Sequence, residues 1–157
     1  MYLLALVFGA IYSLGFAPYD LWPASCASIA GLFWLLHRAN VRPVLIAWIF
    51  GIGKYAVGAS WVYVSINVYG NAPPLLAALL VVLFVAVLSF LFCAPVGWLY
   101  AYLRSTISEQ RAWSVSDMMA FSVAWLLADW LTTWLFTGFP WLLPGYGQGR
   151  CTWRILQ

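Results

Sequence analysis

From Leu75 to Leu103 the chain runs without one charged residue, and that run restricts the fold more than any other feature. A helix needs about 20 apolar residues to cross the hydrocarbon core of a bilayer. A soluble domain of this size has too little interior to enclose such a segment together with its neighbours. Further apolar runs occupy Leu3 to Phe16, Leu21 to Leu36, Val44 to about Ile66, and Met118 to Phe136. The first two are short and the second contains Pro23, so a helical hairpin that tilts or is shielded by its neighbours is expected there. Charged residues make up 7% of the 157 and hydrophobic ones 66%, against about a quarter charged in ordinary soluble domains. The expected class is all-α integral membrane, a bundle of about five transmembrane helices.

Two stretches give this bundle a polarity. Ser60-Trp-Val-Tyr-Val-Ser-Ile-Asn-Val-Tyr-Gly-Asn-Ala-Pro-Pro74 carries an apolar run into a turn of Gly, Asn and Pro, and Phe136-Thr-Gly-Phe-Pro-Trp-Leu-Leu-Pro-Gly-Tyr146 has the same character. Trp and Tyr collect where hydrocarbon meets water, because each ring has an apolar body and a polar edge. Lys and Arg in short loops mark the cytoplasmic side. Arg38 and Arg42 flank one loop and Arg104 and Arg111 another, whereas 17–20, 67–74 and 137–148 carry neither residue type. Alternation then places the N-terminus in the cytoplasm and both aromatic stretches on the outer face.

Other readings of the composition are excluded. The net charge of +3 comes from scattered residues, with no basic stripe of the kind nucleic acid requires. Cys26, Cys93 and Cys151 have no metal-ligand spacing, and inside apolar runs a thiol serves as a small hydrophobe. No metal and no cofactor is expected. Residues 3–16 lack the basic leader of a secretory signal and are expected to be retained. No nucleophile elbow, zinc-binding His pair or phosphate loop occurs.

A charge at mid-bilayer costs about 2.5–3.5 kcal/mol on insertion scales, so Lys54 and Asp129, both inside apolar runs, need an explanation. Ala47, Gly51, Lys54 and Gly58 share one helical face, and small residues on a face let another helix approach closely. Lys54 and Asp129 are expected to approach one another or to line one cavity; the other reading is a neutral Asp129 hydrogen-bonded within the bundle. Asp117 at the start of the last run complements a helix dipole. His37 at a span end reads as interfacial, and Asp20 before Leu21 as a helix cap.

Three motifs in register carry a family resemblance. Gly15-Phe-Ala-Pro-Tyr-Asp-Leu-Trp-Pro23, Gly58-Ala-Ser-Trp-Val-Tyr-Val-Ser-Ile66, and Thr137-Gly-Phe-Pro-Trp-Leu142 with Gly145-Tyr-Gly-Gln148 resemble the membrane-embedded N-terminal part of apolipoprotein N-acyltransferase. The resemblance covers about residues 3–148. It implies a multi-pass protein of the bacterial inner membrane, a phospholipid acyl donor, and a lipoprotein acceptor whose N-terminal diacylglyceryl-cysteine is acylated through a cysteine thioester. The family's Glu-Lys-Cys triad belongs to a nitrilase-like domain on the periplasmic side, and no residue here matches it. Residues 1–148 are therefore expected to form the transmembrane domain. Residues 149–157 depart from the family pattern and are expected to be a divergent tail from truncation or frameshift. The family's Glu and, three residues later, Arg are replaced here by Asp129 and Thr132.

On this resemblance the chain is the membrane portion of a phospholipid-dependent N-acyltransferase, inactive alone. Trp61, Tyr63, Tyr69, Phe139, Trp141 and Tyr146 are the candidates for facing substrate, and each ring alone also suits plain interfacial anchoring. A small multi-pass transporter or a lipid-binding scaffold is the alternative, with Lys54 and Asp129 marking its path. A topology reporter fused at Asn71 is expected to report the outer side, and one fused between Arg38 and Arg42 the cytoplasm. A cytoplasmic signal from Asn71 would overturn the orientation.

Overall fold

A computed structural model describes residues 1–38, 42–107, 114–135 and 142–145. It is helical throughout, with no strand among the described residues. The helices are α1 (Tyr2–Ser13), α2 (Trp22–Leu36), α3 (Pro43–Gly58), α4 (Trp61–Val64), α5 (Pro74–Leu88), α6 (Ala94–Ile107) and α7 (Val115–Thr132). A π-helical turn, Ser65–Tyr69, extends α4, and another, Ser89–Cys93, joins α5 to α6. Proline begins three of these helices: Pro23, Pro43 and Pro74 lie in the first turns of α2, α3 and α5, where a missing N–H costs nothing.

Pro74–Thr106 forms one helix long and apolar enough to cross a membrane. Pro43–Gly58 and Trp61–Tyr69 meet the same test only as a pair, bent by 55°. Tyr2–Ser13 and Trp22–Leu36 are shorter apolar helices. The expected third run thus differs from the structure: it is broken at Ala59, whose ψ of 17° leaves the helix. A Gly-Ala-Ser sequence is the kind of site at which helices kink, and Leu142 packs directly over Gly58 there. The expected cap on α2 is also corrected. Leu21 is the cap residue, no side chain caps the helix, and Asp20 instead sits left-handed at φ 54° in the preceding turn.

The core is built on backbone contact between α1 and α3. A Cβ on Gly9 would lie 2.0 Å from the Phe50 carbonyl oxygen, and one on Gly53 would lie 2.2 Å from that of Leu6. The opposite side of α3 packs as the small-residue face predicts. Gly97 of α6 lies against Pro43 and Ala47, and Gly51 against Cys93 and Ser89. Serine hydroxyls bind α2 and α3 to α1: Ser13 Oγ donates to the Lys54 carbonyl at 2.7 Å, Ser25 Oγ to that of Tyr12 at 2.7 Å, and Ser28 Oγ to that of Phe8. The outer surface is the reverse of a soluble protein's. α5 buries only Ala77 and Val85, and Leu75, Val82 and Leu83 are left exposed.

Gly53→Ala must push two backbones apart and is expected to cost about 1–3 kcal/mol, the range for overpacking. Gly145 is the control, because a Cβ added there would meet nothing within 4 Å. Gly145→Ala is expected within about 0.5 kcal/mol of the parent, and equal thermal midpoints for the two variants would contradict the close crossing.

Candidate functional site

Lys54 stands three-quarters of the way along α3, turned inward and 4% exposed. Its ammonium lies 4.6 Å from the centre of the Tyr12 ring, 5.3 Å from Tyr55 and 5.5 Å from Trp125. A ring face attracts a cation by about 2 kcal/mol or more where water is excluded, so three rings partly replace its hydration. Lys54 and Asp129 line a common cavity of about 10 Å³ with Cys93, Trp125 and Thr132. No carboxylate oxygen among the described residues comes within ion-pair distance of Lys54 Nζ. The buried Trp125 indole N–H closes no hydrogen bond of good geometry, although the Asp129 carboxylate is its acceptor neighbour.

Tyr12 connects this cavity to the segment after the Gly-Phe-Pro-Trp motif. Its ring covers Lys54, and its hydroxyl donates to the Leu142 carbonyl at 2.8 Å. Leu142 is buried and left-handed at φ 61°, a conformation a side chain like leucine's adopts only when held. Its methyls rest on Gly58, where any Cβ would strike Leu142 Cδ1 at 2.3 Å. The two motifs therefore meet at Leu142 and Gly58, which lies three residues before Trp61.

Trp61 and Tyr69 are exposed and Tyr63 half-buried, all on α4 and its π-helical extension. The turn beyond them is closed by Asn67 Nδ2 donating to the Ala72 carbonyl at 2.9 Å, with Asn71 left-handed at φ 49°. Phe139, Trp141 and Tyr146 lie outside the described residues. Cys26 is exposed, Cys93 is buried, and Cys151 lies outside the described residues.

A second polar cluster lies where α2 ends and α7 begins. Asp117 is fully buried. It closes a capping box with Ser114, and Arg104 Nε lies 3.5 Å from its Oδ1. Arg104 Nη1 donates to the His37 carbonyl at 3.1 Å, and the His37 Nδ1 to Tyr100 hydroxyl distance is 3.3 Å. His37, at the end of α2, is buried among these groups. Asp117 does far more than face a helix dipole, because removing one partner of a buried ion pair costs about 3–5 kcal/mol. The Ser-Val-Ser-Asp spacing of residues 114–117 signals the cap; nothing local in sequence signals Arg104 or His37 as its partners. Tyr12 escapes a reading of the sequence for the same reason, since an aromatic residue in an apolar run carries no mark of its hydroxyl's partner.

Fold and site together define a class: a bundle of apolar helices, apolar on its outside, with ionisable side chains inside. The family model of the apolipoprotein N-acyltransferase N-terminal domain matches residues 8–155. The chain is 40% identical over 148 residues to the apolipoprotein N-acyltransferase of Pseudomonas syringae, and 42% over 148 residues to that of Pseudomonas putida. It is 42% identical over 141 residues to that of Vibrio cholerae. These matches take in 93%, 93% and 89% of this chain but 28%, 28% and 27% of the relatives, so the chain spans little over a quarter of their length. It belongs to the apolipoprotein N-acyltransferase N-terminal domain family.

Tyr12→Phe keeps the ring over Lys54 and deletes only the bond to Leu142. It is expected to cost about 1 kcal/mol and to speed protease cleavage around residues 142–145. Unchanged cleavage would show that Leu142 is held without the hydroxyl.

Proposed function

We propose that this chain is the membrane portion of a phospholipid-dependent N-acyltransferase, which acylates the N-terminal diacylglyceryl-cysteine of bacterial lipoproteins. It crosses the bacterial inner membrane several times with its N-terminus in the cytoplasm. The observation that carries the reading is the family match over residues 8–155, with relatives about 40% identical along nearly the whole chain. The exposed leucines, valines and aromatics of α5, α6 and α7 support the membrane assignment. In water so continuous an apolar surface drives aggregation; in lipid it is simply solvated.

In this reading Trp61, Tyr63, Tyr69, Phe139, Trp141 and Tyr146 sit at the outer interface, where donor phospholipid and lipoprotein acceptor enter. The helices supply position and lipid access but no chemistry. Acyl transfer through a thioester needs an exposed nucleophilic thiol with a base beside it. Cys93 is buried and so unsuited to that role. In this reading the chain needs a separate catalytic domain for turnover.

The bent pair at Gly58 is a feature that broken-helix transporters share. A cavity of about 10 Å³, room for about one water, accommodates no transported solute, and the acyltransferase reading is preferred.

The test is a chimera in which this chain replaces the matching 148 residues of the Pseudomonas putida relative. Transfer of a fatty acyl group from phosphatidylethanolamine to a diacylated lipopeptide is expected from the chimera and not from this chain by itself. A folded chimera without transfer would refute the function, and transfer by the isolated chain would refute its inactivity.

A further inference from the structure

We infer that the cavity between α3 and α7 binds one water molecule, and that Lys54 and Asp129 are paired through this water rather than by direct contact. Three observations lead there. Lys54 is buried and has aromatic faces around its ammonium but no carboxylate oxygen in ion-pair range among the described residues. Such faces stabilise a cation without accepting its three N–H bonds, and an ammonium left otherwise unpaired in a dry interior costs several kcal/mol. Asp129 lines the same space from α7. The Trp125 indole N–H, on a side chain more than nine-tenths buried, borders that space and closes no good hydrogen bond.

The polar groups that line the space suit one water. A water accepts two bonds and donates two, and buried waters make about three. Here Lys54 Nζ and Trp125 Nε1 supply two donors. The Asp129 carboxylate and the Thr132 hydroxyl supply two acceptors, Thr132 having already committed its proton to the Asp129 carbonyl at 2.7 Å. The volume, about 10 Å³, matches one water and is too small for a phosphate or a lipid headgroup. A halide would gain Lys54 and Trp125 but meet the Asp129 carboxylate, and its charge would leave the site net negative. Water links the two charges without adding one. The π-helical turn Ser89–Cys93 shapes the space, because it brings Phe92 and Cys93 to the cavity wall.

The full chain in lipid nanodiscs provides the test, with a structure at a resolution that shows ordered water. Density for one water is expected within hydrogen-bond distance of both Lys54 Nζ and an Asp129 carboxylate oxygen. Lys54→Met and Asp129→Asn are each expected to lower the thermal midpoint, and the double variant to lower it by less than the sum. Asp129→Glu lengthens the acidic side chain by one methylene and keeps its charge. It is expected to contact the ammonium directly, expel the water and keep the parent midpoint, which also covers the case in which the charge-deleting variants do not fold. Additive losses, direct Lys54–Asp129 contact in the parent, or an anomalous bromide signal at the site after exchange into sodium bromide would each overturn the inference.

Discussion

The close crossing of α1 and α3 at Gly9 and Gly53 is the contact on which the other features depend. Between helices surrounded by lipid there is no hydrophobic gain from association, because acyl chains are as apolar as leucine. Attraction has to come from van der Waals contact and hydrogen bonds at short range. Two glycines placed opposite carbonyl groups give backbone-to-backbone approach, and that approach brings the Ser13 hydroxyl to the Lys54 carbonyl. It also lays the Tyr12 ring over the Lys54 ammonium. A larger residue at either glycine would move Tyr12 and Lys54 apart before it disturbed anything at the surface.

From this crossing the end of the bundle near Leu142 is assembled in order. Tyr12, fixed against α3, presents its hydroxyl to Leu142, and Gly58 leaves the space that the Leu142 methyls fill. The left-handed backbone at Leu142 costs on the order of 1–3 kcal/mol, which the hydrogen bond and the burial of a leucine side chain are together large enough to offset. The bend after Gly58 lies at the same contact. A straight α3 would carry Trp61 along the helix axis, whereas the 55° turn sends α4 off at an angle beside the docked segment. Small residues on α3 thus decide where the exposed rings of α4 stand.

Much of this architecture is legible in the sequence because it is local. Glycines at one face of α3 and the uncharged run of Leu75 to Leu103 each report on their own neighbourhood, whereas Pro23, read as lying inside a run, stands in the first turn of α2. The features that escape are pairings between distant residues. Lys54 and Asp129 stand out as charges in apolar runs, but no spacing rule tells whether they touch or share a cavity. Asp117 reads as sufficient in the role of a carboxylate facing a helix dipole, and its burial against Arg104 follows only from how α6 and α7 are packed. The break at Ala59 escapes for a different reason: Gly-Ala-Ser permits a kink without requiring one, and the Leu142 side chain packed against Gly58 comes from far along the chain.

Between the two polar clusters the core is aromatic. Tyr12 lies 5.9 Å from Trp125, Trp125 6.1 Å from Phe121, and Phe121 6.0 Å from Tyr100 and 5.2 Å from Phe33, centre to centre. Rings at these separations, tilted or edge-on, gain about 0.5–1.5 kcal/mol per pair beyond their burial. The column between the Lys54 cavity and the Asp117 cluster is thereby filled with rings rather than with charged groups. A protein that moves a solute across a membrane needs polar groups or an opening through its middle; here packed rings occupy that place. Each charged cluster is consequently confined to its own end. At one end the buried ion pair of Arg104 and Asp117 fixes α6 to α7. At the other Lys54 holds α1, α3 and α7 around the cavity below Leu142. Such packing holds the two ends of the bundle in a fixed arrangement rather than opening a path between them.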